Sequence, residues 1–508
     1  MIKKYILNKY FLLLVIAYFL LRIINLTKLP IFNDESIYLD WGWREINTPG
    51  YLYYSLYDAK QPLLMWFFGI AQILFKDPLF AGRLVSVFCG FLSLVGIYKL
   101  SQKLFDTKTA FIASLFYSII PIFSFYDRQA LMESSIATVG IWTIYFILNL
   151  FEKKDFRSGI FIGIILGIGF FIKSSSLIFL ISYLILTLYL VKISSKKTKI
   201  FEITFVSVVI FLAVIILLLI NPLFWDTFKT NSRFTLTLGE IFSLPVYIWV
   251  QSILTNFKIL FFYLTPIVFL GSILGFFYIF KDSKNFKIFT LFFIICILLE
   301  TFTVRQASDR YLLPFVTFFI IPFARIAVLL LKKNKNLGIS FFIVSLLVPL
   351  SLTFYQVINP PSYIISMGKI SGYTNSAYLS GFTSGYGIND VLNYFNKISS
   401  SEKIVIGIAE NTGNPESAIN IYFNKNKNVK VVYFDSRLFD MDLSNYDCLK
   451  TNSQVYFVSR DNQLVGLDKF LEKIKTIKNP YGTNTIGIYK LKTKCSGKVL
   501  EINPKKTT

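Results

Sequence analysis

Two carboxylates stand side by side in IFNDESIYLDWGWREI, residues 31–46, directly after an apolar N-terminal stretch. Asp34 and Glu35 admit two readings. In one, Asn33 caps a helix and both acids sit in its electropositive first turn. In the other, one of them takes a proton from a substrate. The chain has no histidine, which removes the commonest general base, every Ser-His-Asp or Cys-His arrangement and most zinc sites. Proton transfer therefore falls to Asp, Glu, Lys or Tyr. Asp34, Tyr38 and Trp41 recur at i, i+4 and i+7, which puts them on one helical face. Asp40 and Arg44 form an i, i+4 pair, read as a surface salt bridge of little value.

Four further segments carry charge where apolar runs begin or end. In YDAKQPLLMW, Lys60 precedes a short apolar helix, with Pro62 suited to its first turn; a lysine there either snorkels to water or meets an anion. FYDRQALMESSIA, 125–137, places Asp127 and Arg128 in a turn and Glu133 about one and a half turns inside the following apolar run. An acid at that depth costs a few kcal/mol unless it is paired or faces a polar cavity. GIGFFIKSSSL, 167–177, has Lys173 in a very short turn, and ETFTVRQASDRYLLP, 300–314, gathers Glu300, Arg305, Asp309, Arg310 and Tyr311 at a helix entry. Acids and cations from separate turns at one depth suit a substrate with a membrane-embedded tail and an anionic head. No D-x-D in the first loop, cysteine cluster or P-loop points to a metal or nucleotide. GFTSGYG, 381–387, reads as a turn followed by a helix.

The elements that must hold these residues are membrane helices. Of 508 residues, 54% are hydrophobic and only 16% charged, with mean hydropathy +0.58. Runs of 17 to 22 apolar residues recur, matching about 30 Å of hydrocarbon. The net charge of +23 falls in short clusters between the runs, the pattern of loops facing anionic lipid rather than of nucleic-acid binding. Runs lie at 10–26, 62–75, 80–100, 109–126, 130–151, 158–172, 175–191, 201–220, 257–280, 287–304, 311–331 and 337–357. The second has only 14 residues, about 21 Å of helix. If it does not cross, the basic loops at 103–108, 152–157, 192–199, 281–287 and 332–335 all share the side of Lys3, Lys4 and Lys9. If it crosses, all five are displaced, against the positive-inside rule. We therefore expect an interfacial helix at 62–75 with Trp66 at headgroup level, eleven spans, a cytoplasmic N-terminus as a retained anchor, and an extracytoplasmic C-terminus. The first outer loop is then 27–79.

These segments, taken in order, resemble the GT-C membrane glycosyltransferases, and within them the family 39 and RgtA/B/C/D-like group that includes protein O-mannosyltransferases and aminoarabinose transferases. NDESIYLDWGWREI resembles the family's first-loop acidic motif, AKQPLLMW its Lys-Pro-Pro-type segment, and RQALMES its acidic span entry. GIGFFIKSS resembles its Gly-rich segment ending in lysine, RYLLPF the start of a late span, and SGFTSGYGINDVLNYF a segment after the last span. Two departures stand out: Lys60-Gln61-Pro62 lacks the usual second proline, and Glu133 stands where many relatives have aspartate. The resemblance covers about residues 1–400. It implies an inverting transfer from an undecaprenyl- or dolichyl-phosphate sugar, a hexose or pentose, to an acceptor hydroxyl outside the cytoplasmic membrane, with no cofactor. The acceptor would be a protein, lipid A or a surface glycan. Asp34 would be the base. Lys60 and Lys173, then Arg128 and Arg310, would meet the donor phosphate, with Asp127 and Tyr311 beside them. Glu35 and Glu133 would position the acceptor or orient Asp34 and its cationic neighbours.

Domains are expected at 1–357, a transmembrane module, and 358–508, a small extracytoplasmic α/β domain. EKIVIGIA, VKVVYF, SQVYFVS and TNTIGIYKL read as strands, and LDKFLEKIKTI, 467–477, as a helix. Cys89 and Cys296 read as small core residues; Cys448 and Cys495 form a candidate pair if this region is extracytoplasmic. The competing functional class is a lipid or solute transporter, but transporters show internal repeats and midplane charges, whereas here the charges gather at one boundary. An oligosaccharide ligase would share the lipid donor without predicting the first-loop acidic pair.

Overall fold

The computed structural model describes residues 2–231, 233–281, 283–371, 376–409, 413–434, 454–460 and 471–491. Helices run α1 Ile2–Ile23, α2 Asn33–Asn47, α3 Leu63–Leu74, α4 Pro78–Leu104, α5 Thr107–Ile119, α6 Pro121–Asp127 and α7 Glu133–Lys153. They continue as α8 Phe156–Ile172, α9 Leu177–Ile193, α10 Lys197–Leu219, α11 Pro222–Asn231, α12 Leu238–Phe242, α13 Val246–Tyr263 and α14 Pro266–Ile279. The last seven are α15 Lys284–Thr303, α16 Asp309–Val316, α17 Ile320–Lys333, α18 Lys335–Ile358, α19 Pro360–Ser371, α20 Ile388–Ser399 and α21 Glu416–Phe423.

Among the described residues, eight helices are long and apolar enough to cross a membrane, or nine if the bent pair α5–α6 is one span. The protein is thus a polytopic helical membrane protein. The expected eleven also drew on α1, on α8 at 17 residues, and on the run 257–280. That run is corrected: it is the end of α13 and a separate α14. Pro266 has no N–H to give and pushes Thr265 out of helical geometry, so one apolar stretch makes two helices. The short run at 62–75 forms α3, as expected of a helix too short to span.

Proline also bends α5–α6, by 65° before Pro121. The carbonyls released there are not left bare. Thr353 of α18 donates to Ile119 O at 2.7 Å, and Arg22 of α1 donates to Tyr117 O at 3.2 Å and to Ser118 O. Side chains of neighbouring helices thus replace the lost intrahelical bonds, as the hydrocarbon requires. A stripe of Gly159, Gly163 and Gly167 on α8 lets α10 approach closely at Ile203, Ser207 and Val214.

The chain divides into two compact units. One comprises residues 1–26, 51–67 and 83–374; the other comprises 27–50, 68–82 and 375–508. The second contains a five-stranded mixed sheet of order β2-β1-β3-β5-β4, formed by β1 Ile404–Ala409, β2 Val429–Phe434, β3 Gln454–Arg460, β4 Leu471–Lys478 and β5 Thr485–Leu491. Four strands fall where the sequence places them. The helix expected at 467–477 is corrected over its described part, which is the edge strand β4. Leu471, Ile474 and Ile477, three residues apart each, fit a helical period in the sequence, whereas the strand buries Leu471 and Ile477 and leaves Ile474 exposed. Exposed Lys473 and Lys475 flank a bulge opposite β5, the usual protection of a sheet edge. Cys448 and Cys495 lie outside the described residues.

Candidate active site

In the first unit, Glu133 is the first residue of α7 rather than lying a turn or more inside the span, and its side chain is 1% exposed. One oxygen, Oε1, accepts from two cations. Lys173 Nζ reaches it at 3.1 Å from the turn after α8, and Arg310 Nε at 3.2 Å from the first turn of α16. The cations themselves remain 22% and 20% exposed. The Tyr311 ring lies 5.3 Å from Lys173 Nζ, a cation–π distance. A carboxylate buried between two part-exposed cations holds both in place by charge-assisted hydrogen bonds.

The adjacent loop completes this region. Gln61 Oε1 accepts the Ser174 N–H at 3.1 Å, tying the segment before α3 to the turn that carries Lys173. Lys60 Nζ lies 4.8 Å from the Phe234 ring. Trp66 packs against Tyr53 and Phe171 and donates to Leu52 O at 2.7 Å. Gln61 does not stand out in the sequence as a site residue. Its one signal is the missing proline: an amide at that position can cap a neighbouring turn, which proline cannot.

Asp127 and Arg128, six and five residues earlier, belong to a different network. The Asp127 carboxylate accepts from Ser134 Oγ at 2.8 Å, Tyr117 at 3.1 Å, Tyr18 at 3.2 Å and Arg22 at 3.3 Å. Gly90 packs so closely that a Cβ there would overlap Asp127 and the Tyr18 hydroxyl. Arg128 donates to Leu21, Arg22, Ile24 and Asn25 carbonyls at 2.8–3.0 Å, and Arg83 to Leu26 O at 2.7 Å. Two arginines thus satisfy the carbonyls that the end of α1 leaves open. Arg22 and Arg83 are both fully buried. Nothing but their place inside apolar runs marks them in the sequence.

The cluster expected at 300–311 disperses. Glu300 is buried and accepts from Asn256 at 3.1 Å, and Arg305 makes a two-pronged bridge to Glu240 at 2.9 Å. Arg310 and Tyr311 reach Glu133 and Lys173.

In the second unit, α2 carries Asp34 and Glu35 in its first turn. Asn33 is not the cap. The helix begins at Asn33, and Glu35 Oε2 reaches back to accept the Phe32 N–H at 2.9 Å, the one half of a capping box that a phenylalanine cap allows. Asp34 is half-buried; Tyr38 and Trp41, on its face as expected, are buried with rings 6.0 Å apart. The Asp40–Arg44 bridge, 2.9 Å long, is also corrected: it is buried, not a surface pair. Among the described residues no group of three or more His, Cys, Asp or Glu is placed to hold a metal ion.

Residues 59–225 match the family model described as Dolichyl-phosphate-mannose-protein mannosyltransferase. No curated protein sequence matches the chain. Among solved structures, ArnT from Cupriavidus metallidurans in the apo state is similar with a TM-score of 0.58 at 12% identity, over 95% of this chain and 98% of that one. The same ArnT bound to undecaprenyl phosphate gives 0.56 at 12% identity and the same coverage. The Archaeoglobus fulgidus oligosaccharyltransferase in the apo form gives 0.56 at 13% identity, over 90% of this chain and 70% of that one. The fold is that of the GT-C glycosyltransferases, as the ordered motifs imply.

Proposed function

We propose that this protein is an inverting, metal-independent glycosyltransferase. It moves a sugar from a polyprenyl-phosphate donor to an acceptor hydroxyl on the outer face of the cytoplasmic membrane. The observation that carries the reading is Glu133 Oε1, which gathers Lys173 and Arg310 from two other segments and leaves both cations part-exposed. Such a pair answers the one electrostatic demand of the reaction. As the bond from anomeric carbon to phosphate oxygen breaks, negative charge builds on the leaving phosphate, and preorganised donors stabilise it there. Lys173 has three N–H donors, of which Glu133 accepts one. A phosphate monoester leaves as a stable anion, so no general acid is needed.

The base is assigned to Asp34 by the resemblance of its motif. Its carboxylate takes the acceptor's hydroxyl proton while that oxygen bonds to the anomeric carbon from the face opposite the leaving phosphate. Glu35, accepting the Phe32 N–H, steadies the turn that carries it. Lys60, tied to the Lys173 turn through Gln61, is the next cation in reach of a lipid phosphate. Asp127 and Arg128 serve by holding the end of α1 rather than by meeting substrate. The ArnT structure with undecaprenyl phosphate supports a polyprenyl donor.

The test supplies membranes carrying the full-length protein with undecaprenyl-phosphate hexoses and pentoses labelled in the sugar. Transfer to an endogenous acceptor is expected, and Asp34→Asn should lower it about 10²–10⁴-fold. Full activity in Asp34→Asn would remove the base assignment. Label that crosses the bilayer without transfer would instead favour a transporter.

A further inference from the structure

The helix that carries Asp34 is held from its own unit by directional polar bonds. Asn33 Oδ1 accepts the Asn414 N–H at 2.8 Å and Arg460 Nη2 at 3.3 Å. The Asn414 side chain returns a bond, donating to Ile31 O at 2.9 Å and to Thr383 O at 3.4 Å. Thr383 O also accepts the Asn33 N–H at 3.0 Å. Arg460 donates to Asn414 O as well, so β3 closes the ring of contacts. A Cβ on Gly413 would overlap the Asn33 amide, so the approach is as close as a backbone allows. Beside it the Phe32 ring packs on Tyr378, centroids 4.4 Å apart.

A second staple lies two turns along. Asn420, on α21, donates to Asp40 Oδ1 at 2.5 Å, and Lys425 Nζ lies 5.0 Å from the Trp43 ring. Asn33 and Asp40 are seven residues apart and so share one face of α2. Their partners, Asn414 and Asn420, lie just before and within α21. Apolar packing alone would let a helix turn about its axis; two hydrogen-bonded staples on one face set its rotation. Asp34 follows Asn33 by about 100° around the axis, so whatever fixes Asn33 aims Asp34. Buried polar networks specify an arrangement in this way because a slip leaves several groups unsatisfied at once.

We infer that the C-terminal α/β part positions the base: Asn414, with its acceptor Asn33 and with Asn420 on Asp40, sets the orientation of Asp34. This rests on the reading of Asp34 as the base. It gives the sheet domain a role in the turnover step that a cap over the membrane module would not have.

The test measures transfer from labelled undecaprenyl-phosphate hexoses and pentoses in membranes carrying the full chain. Asn33→Ala removes the acceptor of the Asn414 backbone N–H and of Arg460, and Asn414→Ala the side-chain bonds to Ile31 O and Thr383 O. Each should lower kcat about ten- to a hundredfold, the scale of a misplaced reacting group. KM for the lipid donor should stay within about twofold, because Lys173 and Arg310 are untouched. Asn33→Asp keeps the acceptor oxygen and should recover most of kcat. Asn479→Ala is the control. It removes an equally buried bond in the same unit, to Leu379 O at 2.7 Å, without touching α2, and should leave kcat unchanged. If Asn414→Ala behaves like Asn479→Ala, or loses donor affinity instead of turnover, the positioning role is overturned. If Asn414→Ala fails to accumulate, Asn420→Ala must still show a smaller kcat-only loss; unchanged kcat overturns the role. Retained transfer in Asp34→Asn overturns the base assignment itself, an outcome distinct from these.

Discussion

Asp127 and Glu133 lie six residues apart, and each meets an arginine, yet they sit in opposite surroundings. Every partner of Asp127 is enclosed: Arg22 and the carboxylate are 0% and 2% exposed, and two tyrosines and a serine fill the remaining directions. Glu133 is as deeply buried, but its cations are not. The first network spends all its donors inward and ties the end of α1 to the α6–α7 turn. The second holds its cations in place while leaving them 22% and 20% exposed. The difference teaches that a buried carboxylate in this unit is not itself the mark of a binding site. The exposure of its partners is.

The comparison breaks first at Arg22. Arg22→Met keeps the bulk of the side chain but leaves Asp127 buried without its cation, and also strips donors from the Tyr117 and Ser118 carbonyls. Removing one partner of a buried pair costs about 3–5 kcal/mol. Thermal unfolding of the purified protein in detergent should show a larger drop for Arg22→Met than for Lys173→Met or Arg305→Ala. A variant that folds normally and loses only transfer would put Asp127 in the binding machinery after all.

Lys173→Met sharpens the contrast from the other side. Glu133 keeps Arg310, so stability should fall by only about 1–2 kcal/mol. Transfer from a polyprenyl-phosphate sugar should fall about 10²-fold or more, as when one donor to a developing anion is lost. A melting temperature as low as that of Arg22→Met, with activity per folded molecule intact, would make the Glu133 cluster structural like its neighbour.

Most of the long apolar helices and four of the five strands were legible because hydrophobic run length and alternation are strong signals. Glu133, Lys173 and Arg310, which the fold brings together, stood out in the sequence too, since charge at the edge of an apolar run demands an explanation. What could not be read was partner choice. Asp127 and Glu133 look alike in RQALMES and its flank, and only the positions of Tyr18, Arg22 and Tyr117, from two distant helices, separate them. Glu300 and Arg305 looked like members of the site for the same reason, and their true partners, Asn256 and Glu240, lie 44 and 65 residues away. The burial of Asp40 and Arg44 was hidden because α21, which covers them, lies some 380 residues on. Local pattern states where a side chain is anchored, and tertiary contact states what it faces.

Arg305 and Glu240 extend the contrast to its open end. Both are well exposed, and the segments they join are already held by backbone bonds from Leu236 to Thr303 O and from Arg305 to Phe234 O. Arg305→Ala should therefore have the smallest effect. Its sign with pH follows from the carboxylate. The Arg305 guanidinium, then the Thr237 N–H and hydroxyl, bring Glu240 from an ordinary 4.5 down to about 2. A folded-state value below the unfolded one gives stability that is complete above about pH 4.5 and lost as pH falls toward 2. The melting temperatures of wild type and Arg305→Ala should differ slightly and constantly from about pH 5 to 8, converging below that window, and added salt should shrink the gap. The Arg22→Met deficit, being enclosed, should not respond to salt in this way. A salt-insensitive Arg305→Ala deficit of the same size would mean that exposure does not order these three carboxylates, and the distinction drawn between Asp127 and Glu133 would lose its physical basis.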